Sequence, residues 1–269
     1  MLRFVFKTLS FALSAAQRLS AAVGARALPA PLALLCAGGC GDEGGRGTLA
    51  VSVYGEPFIE EGIPASAVDD GWSVRFSSFR VELRAVEVGG ARLLVGRDLE
   101  LAAPSGGEGV AAGSLALPSG AHPALAYELG ALRVAGEARH EGRGEVRRFD
   151  WLLDVPTRYE RCALGLSLGS GEEARAELTI HADHLLYDSL VAEEPGLLFG
   201  PLAAADADGD GEVTRAELEA ASVGALDVGS GGEVGDLWAW LRAHARTVGH
   251  LNGEGHCDAR ALDAEGGAP

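Results

Sequence analysis

The sequence is poor in basic residues and in cysteine. Lysine and arginine together number 22 against 39 aspartates and glutamates, which gives a formal net charge of -17 at pH 7. Such an acidic chain disfavours nucleic acid as a partner and is suited to divalent cations. Four cysteines are too few for a scaffold held together by disulfides. The 47% of hydrophobic residues instead predicts a substantial core, in a chain of 269 residues that can form one large domain or two modest ones.

The sequence also lacks several short motifs that identify common classes of enzyme and metal site. Residues 48–181 contain no P-loop and no dinucleotide-binding fingerprint. The HExxH and CxxC spacings that bind transition metals are absent as well. We therefore assign no catalytic residue and expect a protein that binds rather than catalyses.

The first 39 residues contain no acidic side chain and have the organisation of a secretory signal. Basic residues, a short apolar run at 27–37 and small residues before Cys40 follow this pattern. The run is shorter than the ~20 apolar residues that a membrane-spanning helix needs. Residues 37–40 resemble a bacterial lipobox, although Ala37 stands where leucine is usual. We expect removal of residues 1–39 and a lipid on Cys40, which would anchor the protein to the outer membrane, facing the periplasm or the exterior. Ordinary cleavage and secretion is the alternative.

The cysteines support this interpretation. Cys36 would leave with the signal and Cys40 would carry the lipid, so Cys162 and Cys257 remain as an even pair. In an oxidising compartment such a pair favours a disulfide. Two separate buried thiols are the alternative.

Between residues 48 and 181, apolar and polar side chains alternate with the period of two that is typical of β-strands. Many short runs separated by turn signals predict an antiparallel β-sandwich. The alternation changes phase at Ser77-Ser78, which predicts a bulge. Residues 40–47 are expected to be a glycine-rich tether. The strands are predicted at 49–53, 72–76, 79–85, 91–95, 97–102, 110–117, 124–138, 145–155, 161–168 and 174–181.

An acidic stretch at 206–217 has the spacing of the calcium loop of an EF-hand. Calcium is a hard cation that takes about six to eight oxygen ligands. Gly211 permits the sharp bend of the loop, and Val213 is expected to point inward and to hydrogen-bond to a partner strand. An acidic surface loop without an ion is the alternative. The expected ligands are Asp206, Asp208, Asp210, the Glu212 carbonyl, Thr214 and Glu217.

Residues 182–258 are predicted to form a small helical domain around this loop, with a disordered tail at 259–269. Thr214 is expected to cap a helix and to form a capping box with Glu217. EF-hands usually occur in pairs, and residues 227–238 resemble a degenerate second hand with glycines at its third and fifth positions and Trp238 at its last. The helices are predicted at 184–193, 197–202, 214–222 and 235–247.

A second group of possible metal ligands lies where the last predicted strand ends. His181, Asp183 and His184 combine imidazole and carboxylate, which suits zinc, copper or iron. The alternative is that Asp183 caps a helix and that the two histidines point apart. Further histidines follow in the sequence at His244, His250 and His256.

Three stretches, 55–64, 70–72 and 181–188, together with the acidic loop, resemble a group of lipoproteins from Gram-negative bacteria. The resemblance covers most of the chain after the signal. It implies a β-sandwich-like domain, a C-terminal EF-hand and a location in the cell envelope, and it implies no catalytic activity.

Together these features predict an α+β fold, an antiparallel β-sandwich followed by a small helical EF-hand domain. We expect a calcium-binding, lipid-anchored envelope protein without enzymatic activity, in which calcium has a structural role. One alternative is a transition-metal protein that uses His181, Asp183 and His184. Another is a binding module whose loop at 56–71 recognises an envelope polymer or protein, and the sequence does not identify that partner.

Overall fold

The computed structural model describes residues 44–230 and 234–262, which form two β-sheets and several short helices between their strands. Residues 1–43 lie outside the described part of the chain, so the predicted signal segment and the predicted lipid site at Cys40 do too. The same holds for residues 231–233 and 263–269.

Nine strands lie within the described residues; those up to Ile180 are close to the positions that the alternation predicts, and the last two were not predicted. In the first strand, Leu49, Val51 and Val53 are buried while Ala50 is exposed, as expected for a sheet with one face in the core. This strand begins at Arg46, within the predicted tether. The strands are β1 (Arg46–Tyr54), β2 (Trp72–Val88), β3 (Ala91–Glu100), β4 (Val110–Pro118), β5 (Gly120–His140), β6 (Val146–Leu168), β7 (Glu173–Ile180), β8 (Gly249–Leu251) and β9 (Asp258–Ala261).

The first sheet contains four strands in the order β4-β1-β7-β8. β1 pairs antiparallel with β4, and β7 pairs antiparallel with β8, but β1 and β7 run parallel. The prediction of a β-rich fold is confirmed, whereas the prediction of a purely antiparallel one is wrong at this pair. The chain passes through β2 to β6 between the two strands, and this long crossover lets β7 run in the same direction as β1.

The second sheet contains five antiparallel strands in the order β3-β2-β5-β6-β9. The runs at 145–155 and 161–168, predicted as two strands, belong to the single strand β6. β6 continues through Pro156 because the pairing with β5 shifts register there, at a position where the missing N–H of proline is tolerated. The predicted bulge at Ser77-Ser78 is confirmed by a register shift in β2.

Buried side chains from both sheets and from the C-terminal region form one hydrophobic core. Phe199 lies in the predicted helical domain, yet it is fully buried and its ring centroid lies 5.3 Å from that of Trp72 in β2. Residues 182–258 therefore share the core of residues 48–181, and the described residues after Gly41 belong to one compact unit.

The helices within the described residues are short: α1 (Glu56–Glu60), α2 (Gly200–Ala203), α3 (Arg215–Ala220) and α4 (Leu237–His244). The two that flank the acidic loop, α2 and α3, have only four and six residues. The helical EF-hand domain predicted from the sequence is therefore not seen as such. In the described part of the chain, every helix is too short or too polar to cross a bilayer.

The helix predicted at 184–193 is replaced by a 3-10 turn, Asp183–Leu186, and an irregular segment. Ser189 Oγ accepts hydrogen bonds from the backbone N–H groups of Val191 and Ala192. Side chains that bind nearby backbone groups compete with helix formation. This competition explains why the chain leaves the helical path soon after Leu186.

The end of the described chain is held against the second sheet. Cys162 of β6 and Cys257 form a disulfide, which confirms the predicted pair. Directly after Cys257, β9 pairs antiparallel with residues 157–160 of β6. Part of the tail predicted to be disordered from residue 259 is thus a strand, because the disulfide places it beside an open sheet edge.

Candidate metal centres

The first candidate centre is the acidic loop at 206–217. Asp206, Asp208 and Asp210 each offer a carboxylate oxygen, and these three oxygens lie within 4.8 Å of one another. Gly211 has a φ of 82°, in the region that glycine adopts without strain. The structure therefore brings the first three predicted ligands together around the bend that the sequence predicts.

The loop holds these carboxylates through its own backbone. Asp206 Oδ1 and Oδ2 accept hydrogen bonds from the N–H groups of Gly209 and Gly211, at 2.9 and 3.2 Å. Asp210 Oδ1 accepts one from Glu212 at 2.7 Å. These bonds curl the loop around its acidic side chains and fix their direction.

Glu217 reaches from the end of the loop back to its beginning. Its Oε1 accepts a hydrogen bond from the Ala207 N–H at 3.0 Å, and its Oε2 accepts one from the Thr214 N–H at 2.9 Å. The Thr214 hydroxyl in turn accepts from the Glu217 N–H, so the predicted capping box is confirmed. These bonds, above all the one from the Thr214 backbone, hold the pKa of Glu217 below its usual range.

The partner strand of the loop is β6. Val213 is buried, as predicted, and its N–H donates to the Arg148 carbonyl at 2.8 Å. The indole N–H of Trp151 donates to the Val213 carbonyl, also at 2.8 Å. Arg147 Nε lies 3.0 Å from Asp206 Oδ2, and the Asp206 side chain is only 1% exposed. The sheet thus supports the loop through both its backbone and its side chains.

In the degenerate second hand predicted at 227–238, the described residues 227–230 and 234–238 form no backbone hydrogen bond with the loop. The Asp227 N–H donates to the Asp188 carbonyl, and the Leu237 N–H donates to the Ala221 carbonyl. The backbone N–H and carbonyl groups of Val213, in the acidic loop, are hydrogen-bonded to Arg148 and Trp151 of β6. β6 therefore stands where the second loop of a paired EF-hand would be expected.

The second candidate centre contains the predicted ligands at the end of β7. His181 is 4% exposed and His184 is 8% exposed, and their ring centroids are 5.4 Å apart. One ligand atom from each of His181, Asp183 and His184 lies within 4.8 Å of the other two. The structure thus brings the three together, and the alternative in which the histidines point apart is wrong.

Two further ligands join this cluster from β8 and the turn after it. The His250 ring centroid lies 4.4 Å from that of His181. His181, His250 and Glu254 form a second triplet whose ligand atoms lie within 4.8 Å of one another. No spacing in the sequence points to Glu254, because the triplet forms only when β8 pairs with β7. The density of histidines near the C-terminus was the one feature that pointed to this region.

Several buried polar atoms of this histidine cluster have no hydrogen-bond partner among the described residues. They are His181 Nε2, Asp183 Oδ1, His244 Nε2 and His250 Nδ1. Leaving a buried polar group unpaired costs about 1–3 kcal/mol. Native proteins rarely keep several such groups side by side unless water or an ion satisfies them.

Burial favours the neutral form of three imidazoles in and beside the cluster. Burial lowers the pKa of His184 to about 3 and the pKa values of His244 and His250 to about 4. Burial also raises the pKa of Asp183 and of Glu56. Neutral imidazoles carry a free lone pair at neutral pH, which is the form that binds metal ions.

A pocket of about 350 Å³ opens onto the histidine cluster. His184, His244, His250 and Glu254 line it together with Tyr187. The Thr247 hydroxyl lies 2.9 Å from His184 Nδ1, and the Tyr187 hydroxyl donates to Asp183 Oδ2 at 3.3 Å. The cluster is therefore buried but bordered by a space that a small ligand can occupy.

The loop at 56–71, predicted to recognise an envelope partner, is largely packed onto the body of the protein. Ile59, Ile63 and Val68 belong to the hydrophobic core. A groove of about 490 Å³ lies beside Phe58. Part of this loop thus has a structural role, and its first residue, Glu56, faces the histidine cluster.

Comparison with known proteins yields no match to any family model, curated protein or solved structure. The resemblance to EF-hand lipoproteins stays a prediction from the sequence, and the functional argument depends on the geometry of the two candidate centres.

Proposed function

We propose that the protein binds calcium in the loop at 206–217 and that the bound ion fixes this loop against β6. The observation that carries the proposal is the convergence of the Asp206, Asp208 and Asp210 carboxylates within 4.8 Å. Because the loop also has the glycine bend and the returning Glu217, it supports a cation site better than an acidic surface loop would.

The donor set favours calcium over other common cations. Carboxylates, one backbone carbonyl and a hydroxyl are all hard oxygen ligands, which calcium prefers. With both oxygens of Glu217 the loop can supply about seven donors, within the range that calcium uses. Magnesium demands a tighter octahedral arrangement and dehydrates reluctantly, so a loop with about seven donors suits it less.

The surroundings of the loop favour a structural role for the ion. Calcium sensors open by moving two paired hands, and here the backbone of Val213 is bonded to Arg148 in β6. The flanking helices α2 and α3 are also too short to present a large apolar groove on opening. A bound ion would therefore tighten the contact between loop and sheet.

The proposed location is the bacterial cell envelope. A lipid on Cys40 would hold the protein at the outer membrane, and the disulfide between Cys162 and Cys257 suits an oxidising compartment. Extracellular calcium modules bind at about 10⁻⁴–10⁻³ M. A site of that affinity is filled constitutively where calcium is abundant, which agrees with a structural role.

Thermal unfolding in calcium and in chelator tests this proposal. Calcium at about a hundredfold excess over Kd adds roughly 2.7 kcal/mol of stability, which raises Tm by about 5–11 °C for a domain of this size. Glu217→Gln and Asp208→Asn should abolish most of the rise. Glu219→Gln, an exposed carboxylate on the same short helix, should keep it.

Magnesium and added sodium chloride serve as further controls for simple screening of the acidic chain. An equal Tm in calcium and in chelator would overturn the proposal. So would a calcium-induced rise that Glu217→Gln and Asp208→Asn leave intact, because the ion would then bind elsewhere.

A further inference from the structure

We propose that His181, His250 and Glu254 form a second metal site, which takes a transition-metal ion of the zinc class and is independent of the acidic loop. These residues come from the end of β7, from β8 and from the turn after β8. One ligand atom from each lies within 4.8 Å of the other two, so a single ion can reach all three.

The free ring nitrogens of the two histidines support this assignment. His181 Nε2 and His250 Nδ1 are buried and find no hydrogen-bond partner within residues 44–230 and 234–262. The exposed fraction is only 4% for His181 and 7% for His250. Buried nitrogens without a partner, on two histidines that form a triplet with a carboxylate, are the arrangement expected of ligands whose ion completes them.

The other nitrogen of the His181 ring is held by a carboxylate. Glu56 Oε2 lies 3.3 Å from His181 Nδ1. A proton shared between these two atoms leaves the lone pair of His181 on Nε2. A carboxylate behind a ligating histidine is typical of metal sites.

The backbone of Glu56 provides an independent indication. Glu56 has a φ of 54°, in the left-handed region that non-glycine residues seldom adopt. Strain of this kind tends to persist where the surrounding structure needs a particular side-chain position. Here it places the Glu56 carboxylate against His181, the residue that both ligand triplets share.

The donor chemistry separates this site from the calcium loop. Two imidazoles and one carboxylate form a nitrogen-rich set that suits zinc, and calcium binds oxygen donors instead. His184 belongs to the triplet with Asp183 and not to the one with His250 and Glu254, so it lies beside the proposed ion and is not one of its three main ligands. The pocket beside His250 and Glu254 leaves room for water or a small anion as the fourth ligand.

The test uses the whole chain, purified without a histidine tag and freed of metal, with Zn²⁺ titrated by calorimetry and Co²⁺ followed by its visible ligand-field absorption. We expect one ion per chain and an absorption typical of a tetrahedral site. Glu254→Gln should weaken Zn²⁺ binding by about tenfold or more. Because Glu254 is exposed, this variant should fold normally, as its circular dichroism would show.

Glu193→Gln is the matched control, since Glu193 is an exposed carboxylate that lines the same pocket but belongs to neither triplet. Its Zn²⁺ affinity should equal that of the unchanged protein. His181→Ala should abolish the Co²⁺ absorption in the folded fraction. Equal Zn²⁺ affinity in Glu254→Gln and in the unchanged protein would overturn the proposal, as would the absence of stoichiometric binding.

To distinguish the proposed calcium site from the proposed zinc site, the variants of each site are tested for binding of the other ion. Zn²⁺ binding should persist in Glu217→Gln, and the calcium-induced rise in Tm should persist in Glu254→Gln. Loss of Zn²⁺ binding in Glu217→Gln would contradict the assignment, because the ion would then occupy the acidic loop.

Discussion

Arg147 and Arg148 are neighbours in β6 and both face the acidic loop, but their side chains have different surroundings. Arg147 is 22% exposed and contacts Asp206, whose side chain is 1% exposed. Arg148 is 57% exposed and contacts Glu212, which is 58% exposed. An ion pair with a buried partner matters far more than one in water. Arg147 therefore supplies the charge that the buried Asp206 carboxylate needs when the loop holds no cation.

This difference predicts how calcium and Arg147 act on Asp206. Arg147→Met should lower Tm in chelator, because it leaves a buried carboxylate without its partner, at a cost of roughly 1–3 kcal/mol. Bound calcium supplies the missing charge, so the calcium-induced rise in Tm should be larger than in the unchanged protein. Differential scanning calorimetry in calcium and in chelator measures both effects.

Arg148→Met is the matched control, since its pair with Glu212 is exposed on both sides. Exposed pairs contribute about 0–1 kcal/mol, so this variant should leave both Tm and the calcium response nearly unchanged. If Arg147→Met and Arg148→Met behave alike, the buried contact with Asp206 has no special role.

At the scale of elements, the sequence predicts the strands, bulges and helix caps that depend on residues close together in the chain. Alternation defines most of the strands, and the phase change at Ser77-Ser78 correctly predicts the bulge in β2. The capping box of Thr214 and Glu217 is equally local and is confirmed. Each of these features is decided by side chains within a few residues, so their pattern is visible in one sequence.

What the sequence does not predict depends on pairing between distant segments. The parallel pair of β1 and β7 arises from a crossover of more than a hundred residues. β8 pairs with β7 so that His250 lies opposite Thr179, and only this register brings His250 and Glu254 to His181. The polar stretch at 249–257 has no alternation that would reveal it as a strand. The triplet of His181, His250 and Glu254 therefore cannot be predicted from patterns along the sequence.

The disulfide joins two elements that are far apart in the sequence, and it predicts the behaviour of the last strand. Cys162 and Cys257 are separated by 95 residues. Closing a loop of that length is worth about 2–5 kcal/mol through the unfolded chain. The double variant Cys162→Ala and Cys257→Ala should lose stability of this order in denaturant unfolding. Its β9 amides should exchange hydrogen faster, since the link that holds β9 to β6 is gone.

Reduction of the unchanged protein under native conditions is the control for changes in side-chain packing. It should reproduce the loss of stability and the faster exchange of β9. Equal unfolding midpoints for the oxidised protein, the reduced protein and the double variant would show that the bond contributes nothing to the fold.

At the scale of the whole molecule, the two candidate centres lie in the part of the chain that follows β7, and both use the sheets as their support. The loop at 206–217 is bonded to β6, and the histidine cluster is assembled from β7 and β8. The C-terminal region thus combines with the sheets in one core and does not form a domain of its own. Metal binding at either centre is expected to stabilise the molecule as a whole, because an ion that binds only the folded state shifts the unfolding equilibrium.

The proposed attachment to the membrane depends on Cys40, outside the described residues, and can be tested by replacing that residue. In a bacterial host that processes lipoproteins, Cys40→Ser should move the protein from the detergent phase to the aqueous phase. Its calcium-induced rise in Tm should be unchanged, because the described residues around 206–217 make the site by themselves. Phase partitioning and mass spectrometry of the N-terminus measure the outcome.

Cys36→Ser is the matched control, since the predicted cleavage removes that residue, and the mature protein should still carry lipid. Lipid on the Cys40→Ser protein, or its absence from the unchanged protein, would contradict the proposed anchor.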